Sequence, residues 1–522
     1  MIPDTYKLVH EFLENSAICY PDKIALIHDD VRTTYSSINS KANQLACVLV
    51  EHGTKIGDRV ILLMENSLEY VTSYYGVLKA GAVAVPLSVE LKPDDLMPRL
   101  TEMEPKILIS TSKCERLLKS MDLSSSSIKA LILKKPTLKW NSNPLSVLAW
   151  EDIFWNKDCS NLEKPDIRVD ESSLASVIYT SGSTGVPKGV MLSHANIISN
   201  TYSILRCLDI SNKDIQMVVL PLFYVMGKSL LNTHFAAGGT VVFNNRFAFP
   251  ASVVKQMVDE HITAFSGVPS TYAYLLYRSP LMKYQSELAS LRYCSQAGGH
   301  MSMQLKKELR RVLPEHTEIF IMYGATEASA RLTYLEPNRY EEKMGSIGRP
   351  IDGVKLKVMD KKGNILQPGQ KGEIIASGNN IMRGYWQDPH TTSQVLDQHG
   401  YHTGDIGYQD EDGYFYVTGR NDKLIKVGGH RINPREIEDA LMETGLIIEV
   451  SVLGLPDKHL GKKLIAITVP RNDDYNEKTI MNHCSRKLPR YKMPSEVRFV
   501  RSLPKNSSGK IDRKRCLAIF HG

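Results

Sequence analysis

Cysteine is scarce and scattered. Eight residues in a chain of 522 lie singly from Cys19 to Cys516 with no C-x-x-C pair, a usage that suits neither a disulfide framework nor a zinc site and implies a reducing cytosol. Long apolar runs are missing as well. The longest, around Ala80 to Leu87, is far too short to span a bilayer, and the amino-terminal MIPDTYKLVHEFLE lacks a basic-then-apolar signal pattern. A cytoplasmic protein without a transmembrane segment is expected, with peripheral membrane contact left open. There are no internal repeats, and the Ser124 to Ser127 run is too short to be a linker. Nor does one sign of charge dominate: the net charge is +7, but residues 423–522 carry 20 Lys/Arg against 11 Asp/Glu, while the first 422 carry 44 against 46. The carboxyl-terminal stretch is thus a basic module, either a solvated face or a surface that meets a phosphorylated or acidic partner.

The length exceeds what one core can organise, so about three domains or subdomains are expected. The most informative segment is YTSGSTGVPKG, Tyr179 to Gly189, which follows the strand-like run Ala175 to Ile178. Glycines let a backbone turn its N–H groups toward a polyphosphate, Ser and Thr hydroxyls donate further hydrogen bonds, and Lys188 supplies a mobile cation. The G-x-x-x-x-G-K-[ST] spacing of a Walker loop is absent, because Pro187 stands in place of the second glycine and Gly189 follows the lysine.

Val60 to Leu63 reads as a strand, Ser67 to Ala80 as a helix stopped by Gly81, and Val83 to Val85 as the next strand, a βαβ unit. Short apolar runs at Gln216–Leu220, Ile262–Ser266, Leu291–Ser295 and Glu318–Met322 each lead into a Gly- or Pro-containing loop: PLFYVMG, SGVPS, QAGGH and YGATE. This alternation predicts an α/β fold with a parallel, doubly wound sheet whose loops converge at the carboxyl ends of the strands. From Gly353 to about Tyr416 the pattern becomes hairpins, with turns at Lys362-Gly363-Asn364 and Pro368-Gly369. After Arg420 an αβ section follows. Its clearest helix is expected to have Asn433 as N-cap, Pro434 at the first position, Glu436 closing a capping box and Gly445 as terminator.

Five motifs, YTSGSTGVPKG (179–189), MYGATE (322–327), YHTGD (401–405), GRNDKLIKVGGHRI (419–432) and PKNSSGK (504–510), resemble in order those of the acyl-adenylate-forming, or AMP-binding, superfamily. Its members include fatty-acyl and aryl CoA ligases, luciferases and adenylation domains. The resemblance implies a large adenylation domain over 1–421 with a β-rich subdomain at 353–416, and a small mobile α+β domain over 422–522. It implies that Thr180, Ser181, Gly182, Ser183, Thr184, Gly185 and Lys188 wrap the β- and γ-phosphates of ATP. Tyr323 would stack on adenine opposite Ala297, Gly298 and Gly299, with Gly324 also at the nucleotide. Thr326 would bond the α-phosphate, Glu327 would ligate magnesium, and Asp405 with Arg420 would hold the ribose. Arg431 would approach the phosphate. Lys510 would bridge the acyl carboxylate and the α-phosphate. Asp422 matches the hinge about which the small domain turns, exchanging the Lys510 face for one with Lys426, Gly428 and Gly429 that serves thiol transfer to CoA or to the phosphopantetheine of an acyl carrier protein. No nucleic acid enters this scheme.

The departures bear on the acid. Tyr224 stands where amino-acid-activating relatives carry aspartate and many fatty-acyl and coumaroyl relatives carry histidine, so nothing there would neutralise a buried ammonium. Ile321 replaces a Gln or Asn common before the MYG run. The implied activity is an AMP-forming acid–thiol ligase acting on a fatty or aryl acid. The alternatives are a stand-alone amino-acid adenylating enzyme, which Tyr224 disfavours, and a non-catalytic acyl-nucleotide-binding regulator, which would be expected to have lost Lys510, Glu327 or the hinge. A light-emitting oxygenase shares the motifs, but nothing marks an oxygenation site.

Overall fold

The computed structural model describes residues 6–123, 126–140, 145–154, 163–180, 187–420, 424–427, 430–457, 460–473, 475–506 and 509–521. Two large sheets and a third, smaller one make up the larger, amino-terminal part, and a three-stranded sheet with helices makes up the smaller, carboxyl-terminal domain. The βαβ reading holds. Strands Arg59–Leu63 and Val83–Leu87 pair in parallel around the helix Leu68–Lys79, whose Ser67 cap accepts from the Tyr70 N–H. All five residues of Val83–Leu87 are buried, as a strand covered on both faces requires. These strands belong to an eight-stranded sheet that also holds Leu174–Thr180 and Lys188–Ser193.

The four short apolar runs become Ile215–Val218, Ala264–Gly267, Tyr293–Gln296 and Glu318–Tyr323, neighbours in a nine-stranded sheet and parallel to one another. Being parallel and adjacent, they deliver their following loops to one edge. The third sheet is antiparallel, and its first two strands, Val354–Met359 and Gly372–Gly378, flank both expected turns, with Gly363 and Gly369 at positive φ. Its strand Gly400–Gln409 alternates with period two, burying Tyr401, Thr403, Asp405 and Gly407 on one face.

In the carboxyl-terminal domain Ile447–Asp457, Gly461–Pro470 and Glu496–Phe499 form the sheet, backed by the helices Pro434–Met442, Glu477–Lys487 and Arg513–His521. The helix after Asn433 starts where expected, and Gly445 lies at positive φ just beyond its end. The capping box does not form. The Asn433 side chain accepts from the Arg435 N–H at 3.2 Å while its own amide donates to the Thr418 carbonyl, and Glu436 instead pairs with Lys492. A tertiary contact to the preceding sheet outcompetes the local motif. Among the described residues no helix is long and apolar enough to cross a membrane, and no two of the seven described cysteines form a disulfide.

Candidate active site

At the carboxyl edge of the nine-stranded sheet a cavity of about 510 Å³ is lined by Thr180, Lys188, Tyr224, Thr326, Glu327 and Lys510, among others. A second, of about 430 Å³, extends it between the two domains. Gly298, Tyr323, Gly324, Asp405, Arg420 and Lys510 line both, so the two are one cleft.

Two glycines are needed where backbone or side chains crowd. A Cβ on Gly324 would lie 1.9 Å from the Ala330 carbonyl oxygen, and one on Gly298, whose φ is +80°, would lie 3.2 Å from the Tyr224 hydroxyl. Tyr224 caps the buried helix Val225–Ala237.

Glu327 sits in a single 3-10 turn, Thr326–Ala328, and both it and Thr326 are buried. The Tyr385 hydroxyl donates to Glu327 Oε1 at 2.9 Å. Burial pushes the Tyr385 phenol well up, and the Glu327 carboxylate pushes the same way, so Tyr385 remains a donor. Its ring also carries the Lys188 ammonium, 5.2 Å from the centroid, and that ammonium lies 3.9 Å from Asp388. The arrangement follows from register: the two-residue strand Gly384–Tyr385 pairs with Lys188–Ser193, setting Tyr385 opposite Val190. Tyr385 was not singled out in the sequence.

Tyr323 donates to Asp405 Oδ2 at 2.6 Å, and Arg420 Nε lies 3.8 Å from Asp405 Oδ1. Burial and the adjoining Asp405 carboxylate hold the Tyr323 phenol well above its ordinary range. Tyr323, Asp405 and Arg420 thus form one wall, joined by a hydrogen bond and an ion pair, with the Gly298–Gly299 loop among the other lining residues of the same cleft. Ile321 is buried and lines the interdomain part, so that position offers no polar contact.

Lys510 reaches the cleft from the other domain. Its ammonium lies 5.2 Å from the centroid of the Tyr224 ring, and its Cε would be 3.6 Å from a Cβ on Gly298. The loop that carries it is docked: Ser270 donates to the Gly509 carbonyl at 2.7 Å and the Lys505 ammonium sits 3.7 Å from the Tyr274 centroid, while on the helix Pro434–Met442 of the same domain Asp439 pairs with His300 at 2.8 Å. Lys426 is not brought to the cleft. It is exposed on the strand Ile425–Val427, away from both cavities. Ser181, Gly182, Ser183, Thr184, Gly185, Asp422, Gly428 and Gly429 lie outside the described residues, as does the side chain of Arg431.

The inner cavity gathers Lys188, Arg331, Arg420 and Lys510 against Glu327, Glu373 and Asp405, which suits a polyanion. Among the described residues no group of three His, Cys, Asp or Glu forms a cage for a metal. One buried, oriented carboxylate is instead the donor set suited to magnesium, which takes most of its oxygens from water and substrate phosphates.

The chain is similar to known proteins along most of its length. Residues 13–386 match the family model described as AMP-binding enzyme, and 436–510 match that of the AMP-binding enzyme C-terminal domain. The chain is 31% identical to a long-chain-fatty-acid–CoA ligase of Bacillus subtilis (strain 168), over 99% of its own length and 95% of the relative's. It is 31% identical to a feruloyl-CoA synthase of Amycolatopsis sp, covering 94% of each. Among solved structures, the anthranilate CoA ligase AuaEII in complex with anthranoyl-AMP superposes with a TM-score of 0.87 at 26% identity, over 99% of this chain and 98% of that one. With family models matched over 13–386 and 436–510 and relatives 31% identical across nearly the whole chain, the chain belongs to the AMP-binding enzyme family.

Proposed function

We propose that this protein is an acid–thiol ligase that activates a carboxylic acid with ATP and passes the acyl group to the thiol of CoA. A carboxylic acid is already ionised near neutral pH, so its oxygen attacks the α-phosphorus without a general base; the bond to the bridging oxygen breaks, and pyrophosphate leaves with the electron pair. The thiol then attacks the acyl carbonyl, AMP departs, and the thiol proton is released. What the first step demands is charge neutralisation and alignment. Lys188 and the 180–185 loop would hold the β- and γ-phosphates, Thr326 the α-phosphate, Tyr323 with Gly324 and the Gly298–Gly299 loop the adenine, and Asp405 with Arg420 the ribose. Glu327, aimed by Tyr385, would hold magnesium, which supplies further neutralisation of the triphosphate. Lys510 would bridge the two reacting anions.

The observation that carries this reading is the convergence of Lys510, Thr326, Glu327 and Asp405 on one cavity from two domains. The docked Lys510 loop corresponds to the adenylating arrangement. Exposed Lys426, with Gly428, Gly429 and Arg431, would serve thiol transfer after the 422–522 domain turns about Asp422, leaving 1–421 as the adenylation domain. Tyr224, an uncharged side chain whose ring lies 5.2 Å from the Lys510 ammonium, favours fatty or aryl acids over free amino acids. A cytoplasmic location fits the absence of disulfides among the described cysteines. The test is acid-dependent pyrophosphate release across a panel of acids, with CoA and a phosphopantetheinylated carrier protein then offered as acceptors. Release driven by amino acids alone, or by no acid, would overturn the assignment.

A further inference from the structure

Buried cations in this chain ordinarily have partners. The Lys79 side chain is fully enclosed and meets Glu14 at 3.2 Å, with Asn39 and Asn43 accepting at 2.6 Å each. Two buried cations, one of them lining the inner cavity, break the pattern. Arg331 is only 2% exposed and lines the inner cavity with Tyr224, Val225 and Met226. Its guanidinium makes two long contacts, Nε to the Met322 sulfur and Nη1 to the Ala330 carbonyl, both 3.4 Å, and no described carboxylate pairs with it. Lys228 is also 2% exposed; its ammonium has no hydrogen-bond partner among the described residues and rests 3.9 Å and 5.0 Å from the Tyr74 and Tyr70 centroids. It stands one turn along the buried helix from Tyr224 but lines neither cavity.

Arg331 is held in place deliberately. Asn200 donates to its carbonyl at 2.8 Å and accepts from its N–H at 3.2 Å, and Asn380 donates to the same carbonyl at 3.0 Å. The two residues before it, Ser329 and Ala330, both lie at positive φ without being glycine, a conformation that persists only where surrounding structure over-determines it. An uncompensated buried charge is expensive, and burial duly pulls the Arg331 guanidinium down to about 10. A planar guanidinium that lacks a protein carboxylate is a fork shaped for one.

We propose that Arg331 reads a second carboxylate on the acid, so that the preferred substrate is a compact dicarboxylic acid activated at its far end. This rests on the acid-activating function above and names its substrate class. Tyr224 and Lys510 would face the reacting carboxylate and Arg331 the spectator one.

The experiment uses the full chain, ATP and magnesium, and compares succinate, glutarate, adipate and the benzenedicarboxylates with their monomethyl esters and the matching monoacids. At least one diacid should exceed its own half-ester by about tenfold or more in kcat/KM, since a site built to hydrogen-bond a group discriminates against the analogue lacking it. In Arg331→Met that ratio should collapse toward one, with Arg331→Lys intermediate because it keeps charge but loses the fork. Should the methionine variant not fold, the wild-type ratio and the lysine variant still decide. Monoacids or half-esters outperforming every diacid in the wild type, or a ratio unmoved in both variants, would overturn the inference while leaving the ligase reading intact. Silence with every acid would remove the ligase reading and this inference with it.

Discussion

Replacing Tyr385 by phenylalanine takes one hydroxyl from the cleft and little else. The ring stays, and with it the surface on which Lys188 rests at 5.2 Å. What is lost is the 2.9 Å donation to Glu327 Oε1, a hydrogen bond to a charged acceptor, worth about 1.5–3 kcal/mol. Because Glu327 is buried, water does not readily replace the missing donor, and the carboxylate is left free to rotate. At about 1.4 kcal/mol per factor of ten, kcat/KM for ATP in pyrophosphate release should fall roughly ten- to a hundredfold. If Glu327 holds magnesium, the half-saturating magnesium concentration should rise as well. Tyr385→Ala provides the internal control: it also removes the cation–π contact, worth about 0.5–2 kcal/mol, and should add a further loss concentrated in the KM for ATP. The assay is initial-rate pyrophosphate release titrated in free magnesium at fixed acid and ATP. A phenylalanine variant whose magnesium titration and kcat/KM both stay within about twofold of wild type would refute the view that this hydroxyl orients the carboxylate.

The legibility of these features in the sequence differs for physical reasons. The four parallel strands were readable because each couples a short β-branched or aromatic run to a Gly- or Pro-bearing loop, and burial on both faces removes the need for alternation. Asp405 was readable from its motif, and the strand that carries it then sets it on the buried phase with Tyr401, Thr403 and Gly407. Tyr385 left no local trace. Its strand is two residues long, and its place beside Glu327 and Lys188 comes from pairing with a strand almost two hundred residues earlier. Arg331 was hidden in another way: in the run A-S-A-R it resembles a surface arginine, and only the positive φ values at Ser329 and Ala330 turn it inward. The capping box expected at Glu436 failed because Asn433 had a tertiary acceptor, Thr418, that no local rule sees.

Lys510→Ala should slow acyl-AMP formation by roughly 10²–10³-fold, the scale of one preorganised electrostatic contact, and slow thioester formation from supplied acyl-AMP much less; equal losses in both half-reactions would contradict its placement at the adenylating cavity. Lys462 and Lys463 start the strand Gly461–Pro470 in the basic carboxyl-terminal domain, and Lys462 is exposed. Their joint reversal to Glu should raise the KM for CoA, and raising salt from about 0.1 M, where the Debye length is about 10 Å, should do the same; indifference to both would leave the basic module a role in solubility alone. His402 gives a pH prediction. Burial, the largest single influence, disfavours its charged form, yet Glu373 and Asp397, each at 3.2 Å, outweigh it, so its pKa is raised above the ordinary 6.5. A raised histidine contributes stability that is fully present below the unfolded pKa and is lost as pH rises through the folded one. The melting-temperature gap between wild type and His402→Asn should therefore be widest below about pH 6.5 and close on the alkaline side. Because the ring is partly exposed, solvent screening keeps that gap small. A gap that widened with pH instead would mean that neutral His402, through packing beneath the Glu373 strand, is what the third sheet relies on.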